Sequence, residues 1–266
     1  MSEADAQHQA GQPCAIILAA GKGTRMGSDL PKVVHEVGGR PMVSIVAEAC
    51  HAVGCSPIVA VVGHGREHVE SALRGASGDV RFALQAEQLG TGHAVLAAEG
   101  ELSGVPQDAD VLVLCGDGPL IRRDTIHTLL KTHRAADAAA TLATAIVDNP
   151  DGYGRIVRDG DGRFARIVEQ KNATDAELRI REINPSYYCF KLGPLMDALR
   201  NVERNPKTGE YYLTDVPALL LAGGARVEVV DAVPAEDVLS INTPAQLAEV
   251  DRIYRQRHQA AEGTRA

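Results

Sequence analysis

The sequence predicts an α/β fold: a mostly parallel sheet flanked by helices, with a smaller β-rich lobe in the second half. Three observations predict it. Short apolar runs alternate with helical patterns as far as Val147. A glycine-rich loop bearing cations leaves the first of those runs. From Asp151 the rhythm breaks into Asp-Gly turns that pair short strands.

Taken in order, Cys14–Leu18 is a buried strand, residues 42–53 a helix, Ile58–Val62 a buried strand, residues 67–73 a helix and Val80–Leu84 a strand. The pattern repeats with a helix over 91–102, a strand over 111–115, a helix over 124–133 capped by Asp124, and a strand over 138–147. Such alternation implies a parallel sheet covered on both faces, with ligand beyond the carboxyl ends of the strands. The glycine loop and Gly116-Asp117 both fall at that edge. Asp151-Gly152, Asp159-Gly160 and Asp161-Gly162 flank residues 155–157 and Phe164–Val168, which read as a hairpin. A strand over 183–190 and helices over 192–202 and 211–221 follow, the last closed by Gly223-Gly224. Residues 226–230 and 238–241 read as the final strands. Residues 244–259 form a helix with Leu247, Val250, Ile253 and Tyr254 on one face. Residues 1–12 and 260–266 are expected to be disordered.

A chain of 266 residues with 45% hydrophobic content can bury a full core, and one domain is the default. Its net charge of −8 argues against a nucleic-acid or anionic-membrane surface, because those partners demand spread positive charge. Residues 1–13 carry neither a basic start nor an apolar core of a signal peptide, and no later run approaches the roughly 18 apolar residues of a membrane span, so a cytoplasmic protein is expected. The 5 cysteines lack C-x-x-C spacing and are expected as reduced thiols; the 9 histidines lack metal-site spacing.

The stretch L-A-A-G-K-G-T-R-M-G-S-D-L-P-K, residues 18–32, carries the chemistry. Gly21 and Gly23 let main-chain N–H groups approach an anion, while Lys22, Arg25 and Lys32 supply charge. The P-loop template fails because Gly21-Lys22 is followed by Gly23. The dinucleotide fingerprint fails because Met26 occupies the place of its third glycine. A polyphosphate ligand remains, with Pro31 stiffening the approach to Lys32.

Later segments complete a constellation: L-Q-A-E-Q-L-G-T-G-H-A at residues 84–94, Gly116-Asp117, G-Y-G-R-I, I-V-E-Q-K-N-A-T-D, E-I-N, G-E-Y-Y-L-T-D and Ile241-Asn242. With L-A-A-G-K-G-T-R-M, L-P-K-V and G-H-G, these phrases resemble, in order from about Cys14 to Asn242, the uridylyltransferase (pyrophosphorylase) half of the bacterial bifunctional N-acetylglucosamine-1-phosphate uridylyltransferase/glucosamine-1-phosphate acetyltransferase. The resemblance implies a nucleotide-diphospho-sugar transferase fold, GT-A-like and Rossmann-like. It implies a disordered extension over 1–13, a nucleotidyltransferase domain over 14–243, divided near residue 150 into nucleotide-binding and sugar-binding parts, and a helix and tail over 244–266. The implied activity is Mg²⁺-dependent transfer of UMP from UTP to N-acetylglucosamine 1-phosphate, giving UDP-N-acetylglucosamine, a peptidoglycan precursor, and pyrophosphate.

The chemistry agrees with this. A sugar 1-phosphate, with a second pKa of about 6, is nearly a dianion at neutral pH and needs no general base. The enzyme must cancel repulsion, align the groups and stabilise charge moving onto pyrophosphate. By resemblance Arg25 and Lys32 neutralise the triphosphate, and Asp117 and Asn242 offer oxygens to Mg²⁺. Leu18, Ala20, Gly21, Gly23, Gln85, Gln88, Gly90 and Thr91 surround the nucleotide, the glutamine amides reading a pyrimidine edge. Gly154, Glu169, Asn184, Tyr212 and Thr214 hold the sugar, and Lys171 lies within reach of a phosphate.

Three positions depart from the family pattern: Cys115 replaces a tyrosine, Gly118 an apolar residue, and Pro185-Ser186 a small residue and glycine. Sugar choice is therefore open. The hexapeptide repeats of the acetyltransferase half are absent from these 266 residues, so acetyl transfer is not expected and would fall to a separate partner. Two alternatives stand beside the leading reading: the same reaction with another sugar or nucleotide, and a non-catalytic nucleotide-sugar sensor.

Overall fold

The computed structural model describes residues 11–263. Its strands are β1 (Cys14–Leu18), β2 (Glu36–Val37), β3 (Arg40–Pro41), β4 (Ile58–Val62), β5 (Val80–Leu84), β6 (Asp110–Cys115), β7 (Ala140–Ile146), β8 (Gly154–Arg158), β9 (Phe164–Val168), β10 (Glu182–Lys191) and β11 (Val227–Asp231). The helices are α1 (Met42–Ala52), α2 (Arg66–Leu73), α3 (Thr91–Ala97), α4 (Arg123–Ala136), α5 (Asp175–Leu178), α6 (Leu192–Leu199), α7 (Val216–Ala222) and α8 (Pro244–Gly263). Among the described residues none of them is long and apolar enough to cross a membrane.

The main sheet has the order β11-β7-β10-β6-β1-β4-β5, with β8 and β9 branching from β10. β1, β4, β5 and β6 run parallel, and the continuous apolar runs of β1, β4 and β6 suit strands covered on both faces. β10 lies antiparallel between β6 and β7, and β11 pairs parallel with β7. Residues of the second half therefore complete the same sheet, and the division expected near residue 150 does not separate two sheets. The smaller lobe reduces to the β8–β9 hairpin, continuous with β10.

Side chains alternate across β1. Ile16 enters a core shared with Val59, Val113, Tyr188 and the helices α6 and α7, whereas Ala15 and Ile17 enter another with α1, α2 and α4. A third cluster joins Met26, Met42, Leu120, Ile241, Val250 and Tyr254. It buries the apolar stripe of α8 against the glycine loop and the segment before Asn242.

Several boundaries differ from the sequence reading. The helix begun at Thr91 stops at Ala97 and continues as a 3-10 turn over Glu99–Leu102, where Gly100 weakens the α conformation. Arg122, with φ −98° and ψ 147°, takes the N-cap place, leaving Asp124 in the first turn, where its charge still favours the helix N-terminus. Tyr211 and Tyr212 are extended instead of helical. Tyr211 N–H donates to Leu89 O and its carbonyl accepts from Gly92 N, each at 2.8 Å, so neither group is available to a helix. Residues 238–241 form no strand; a 3-10 turn over Ala235–Val238 instead buries Asp237 against Arg122 and Arg257.

Of the ends expected to be disordered, residues 1–10 and 264–266 lie outside the described residues. Gln12 Nε2 donates to Gly54 O at 3.2 Å and Pro13 O accepts from Ser56 N at 2.8 Å, which ties that segment to the start of β4. α8 extends past residue 259 to Gly263.

A polar cluster lies inside the sheet. Asp110 is gripped by Arg134 Nε at 2.6 Å and Lys191 Nζ at 2.8 Å. His133, fully buried, shares a hydrogen bond of 2.9 Å with Thr141 Oγ1. Burial pushes the His133 imidazole down to about 4, outweighing the pull of Asp110. The native state therefore holds His133 neutral while the unfolded chain protonates it below about pH 6.5. Stability contributed by this neutral state is present above pH 6.5 and is lost as pH falls toward 4, by about 3 kcal/mol in all. Urea unfolding from pH 7 to pH 4 should show this slope in the native sequence and a shallower one in His133→Gln; equal slopes would refute the assignment.

Candidate active site

The site forms at the carboxyl ends of β1 and β6, around a cleft of about 650 Å³. Gly23 begins a short 3-10 turn with φ +62°, and a Cβ there would lie 2.6 Å from Lys32 Cβ. Glycine thus permits both the turn and its close approach to Lys32. Met26 then buries into the third core cluster while Arg25 stays exposed beside it. The hydrophobic anchor fixes the loop that bears the cation.

Asp117 follows β6, whose end is held against β1 by Gly116 N–H donating to Leu18 O at 3.0 Å. Ile241 N–H donates to Asp117 O at 3.4 Å, which brings the next residue, Asn242, alongside. Lys32 Nζ forms a close ion pair with Asp117 Oδ2 and donates to Asn242 Oδ1 at 3.0 Å. Arg25 Nη2 donates to the same Asn242 Oδ1 at 3.0 Å. Two hard oxygens thus converge on one ammonium, and that ammonium stands in for a cation between them.

On the opposite wall Gln85, 4% exposed, donates from Nε2 to Gly90 O at 3.0 Å and meets His93 Nδ1 at 3.1 Å. Both of its amide hydrogens are engaged, so its oxygen is the group left with capacity for a ligand. Gln88 Nε2 donates to Ala20 O at 2.8 Å, tying this wall to the glycine loop. The backbone at Gly90, with φ +103°, passes so near Tyr211 that a Cβ would lie 2.5 Å from its carbonyl oxygen. Thr91 Oγ1 accepts from Leu213 N at 3.0 Å.

The third wall comes from β9, β10 and the segment before α7. Thr214 Oγ1 donates to Glu169 Oε1 at 3.0 Å; burial nevertheless raises the Glu169 carboxyl above its ordinary range. Tyr212 OH shares a 2.7 Å hydrogen bond with Thr208 Oγ1. Asn184 is buried, its Nδ2 donating to Tyr188 OH at 2.5 Å and its Oδ1 accepting from Ser186 N at 3.2 Å. Gly154 pairs with Asn184 across β8 and β10, and a Cβ on Gly154 would lie 2.9 Å from Ile167 Cγ2.

Of the residues singled out in the sequence, Leu18, Ala20, Gly21, Arg25, Lys32, Gln85, Gln88, Gly90, Thr91, Asp117, Glu169 and Tyr212 line the cleft. Asn184, Gly154 and Thr214 stand behind its wall, Gly23 shapes the loop, and Asn242 reaches the floor through Lys32 and Arg25. Val33, Ala94, Gly152, Gln170 and Glu210 also line it, although the sequence reading assigned them no role. All five lie within phrases that carried the resemblance, so their signal was present but attached to their neighbours. Cys115 occupies the wall as a neutral thiol, since burial pushes it up to about 12. At Gly118 a Cβ would lie 2.9 Å from Tyr187 OH, so a larger residue there would have to displace that hydroxyl.

A Rossmann-like sheet with a cationic glycine loop, facing oxygens of Asp117 and Asn242, defines a nucleotidyltransferase. The MobA-like NTP transferase domain matches residues 15–189, and the chain belongs to that family. It is 43% identical over 244 residues to the bifunctional protein GlmU of Clostridium acetobutylicum, covering 92% of this chain and 52% of that protein. Against GlmU of Pelobacter propionicus it is 47% identical over 243 residues, and against GlmU of Pelotomaculum thermopropionicum 49%, with 91% of this chain and 52% of each relative covered. The chain spans about half the length of the curated relatives it matches. A crystal structure of UDP-glucose pyrophosphorylase complexed with UDP-glucose has the same fold, with a TM-score of 0.75 at 16% identity, over 92% of this chain and 99% of that one.

The shared acceptor on Asn242 makes a prediction about the loop. Asn242→Ala removes the oxygen that restrains both Arg25 and Lys32, so amide exchange over residues 21–32 should accelerate about tenfold while β4 is unchanged. Unchanged exchange in that loop would mean that Asn242 does not hold it.

Proposed function

We propose that the chain transfers UMP from UTP to N-acetylglucosamine 1-phosphate, releasing pyrophosphate, with Mg²⁺ as cofactor. The observation that carries this reading is the floor of the cleft, where Arg25, Lys32, Asp117 and Asn242 meet. The lining among the described residues includes neither serine nor histidine, which suits a reaction whose nucleophile arrives already ionised.

In this reading a sugar-phosphate oxygen attacks the α-phosphorus of UTP as the bond to the bridging oxygen of the departing pyrophosphate breaks. Arg25 and Lys32, at that floor, stabilise the negative charge that develops on the departing pyrophosphate. Gln85 Oε1 accepts from the imide N–H of uracil, and Gln88 holds the glycine loop against the base-binding wall. Glu169 and Tyr212 accept and donate hydrogen bonds to the sugar, while Asn184, Gly154 and Thr214 support that wall from behind. Asp117 and Asn242 fit a hard divalent cation because both present oxygen toward one positive group. When bound there, Mg²⁺ supplies charge neutralisation between the triphosphate and the attacking phosphate.

A second reading keeps the reaction and changes the sugar. It draws on the bulge between Ile183 and Tyr187, where Pro185 and the left-handed Ser186, φ +64°, shape the strand beside Asn184. Pyrophosphate release across a panel of sugar 1-phosphates and nucleoside triphosphates separates the two; release with no pair in Mg²⁺ would leave only a nucleotide-sugar sensor. Relative to the native chain, Arg25→Ala and Lys32→Ala should each lower kcat about 100- to 1000-fold. EDTA should abolish turnover and added Mg²⁺ restore it. Full activity in either variant, or in EDTA, would contradict the mechanism.

A further inference from the structure

Gln170 lines the cleft between Glu169 and Lys171, just beyond β9. Its side-chain oxygen is engaged twice, accepting from Gly152 N and from Arg155 Nη2, the latter at 3.2 Å. Both neighbours are donors only, a backbone N–H and a guanidinium. An amide turned the other way would set its NH₂ against two N–H groups. The Gln170 amide therefore has one permitted orientation, with Nε2 directed away from both. No hydrogen bond from Nε2 is found among the described residues.

Arg155 enforces that orientation. Its side chain is fully buried, donates to Tyr153 O as well as to Gln170, and lies 3.9 Å from the exposed carboxylate of Asp151. Its Nε has no partner. A buried guanidinium so sparsely accommodated cannot release an acceptor without leaving charge uncompensated. Gly152, the other donor to Gln170, also lines the cleft, so one contact holds both residues in place.

We propose that Gln170 binds substrate, its Nε2 hydrogens donating to a phosphate oxygen of the sugar 1-phosphate beside the Lys171 ammonium, and that Arg155 is the positioning residue that keeps the amide donor-first. This rests on the transferase reading above and adds a binding group to it. The pairing gives the buried Arg155 guanidinium a function at the start of β8.

The experiment compares steady-state constants for the sugar 1-phosphate and for UTP. Gln170→Glu keeps an acceptor for Gly152 and Arg155 but removes both donors and faces the phosphate with a carboxylate. KM for the sugar 1-phosphate should rise at least about tenfold, with Tm and KM for UTP nearly unchanged. Arg155→Met should shift the same constant in the same direction, and Arg155→Lys, which still donates to Gln170, should keep it within about threefold of the native value. If Arg155→Met does not fold, Gln170→Glu and Arg155→Lys still decide the matter. A sugar-phosphate KM unchanged in Gln170→Glu, or one that rises together with the UTP KM, would overturn the role of Gln170. Absence of turnover by the native chain with every sugar 1-phosphate would instead overturn the transferase reading and this inference with it.

Discussion

Asn242 Oδ1 receives hydrogen bonds from both Lys32 and Arg25, and Lys32 is at the same time paired with Asp117. Two cations placed near one another repel unless oxygens are held between them, and here the oxygens come from the end of β6 and from the segment before α8. The Lys32–Asp117 pair is largely sheltered, with side-chain exposures of 18% and 14%, so solvent screens it less than it would a surface pair. The loop, the end of β6 and the start of α8 thereby depend on one junction. Its mechanical support is apolar: Met26, Leu120, Ile241 and Val250 pack together behind it.

A second constraint acts through β10. Running antiparallel between β6 and β7, it ties the hairpin β8–β9 to the strand that ends near Asp117. The strand is not regular: one residue on β7, Thr144, faces three on β10 between Ile183 and Tyr187. Proline cannot donate to a ladder, and Pro185 lies within this irregularity, where no ladder donor is needed. The bulge puts Asn184 opposite Gly154 and under Tyr188, so the wall of the cleft is built by a distortion of the central sheet.

Much of the fold was legible along the chain. Ile58–Val62 has the bounds the sequence implied, because a continuous apolar, β-branched run has few alternatives to a strand covered on both faces; Val80–Leu84, an edge strand that carries Arg81, also keeps its expected bounds. Legibility failed where backbone groups found partners far away. Tyr211 looked helical by its neighbours, but its N–H and carbonyl join Leu89 and Gly92 across the cleft. Residues 238–241 looked like a strand by hydrophobicity, yet Asp237 is drawn inward by Arg122 and Arg257. Neither partnership leaves a periodic trace.

By itself the sequence determined the α/β class, the position of the cationic glycine loop after β1, and the identities of the groups that meet at the cleft floor. The first two follow from periodicity and residue chemistry, which are local properties; the groups of the cleft floor were carried by the resemblance of whole phrases in order along the chain. Only the tertiary structure decided that the second half completes the first half's sheet, and that Asn184, Gly154 and Thr214 support the cleft wall from behind. It also decided that the Gln170 side-chain oxygen is turned to Gly152 N and Arg155 Nη2. Such outcomes depend on which donors and acceptors face each other after packing. That pairing is set by contacts between residues as much as 217 positions apart, and no stretch of sequence carries it.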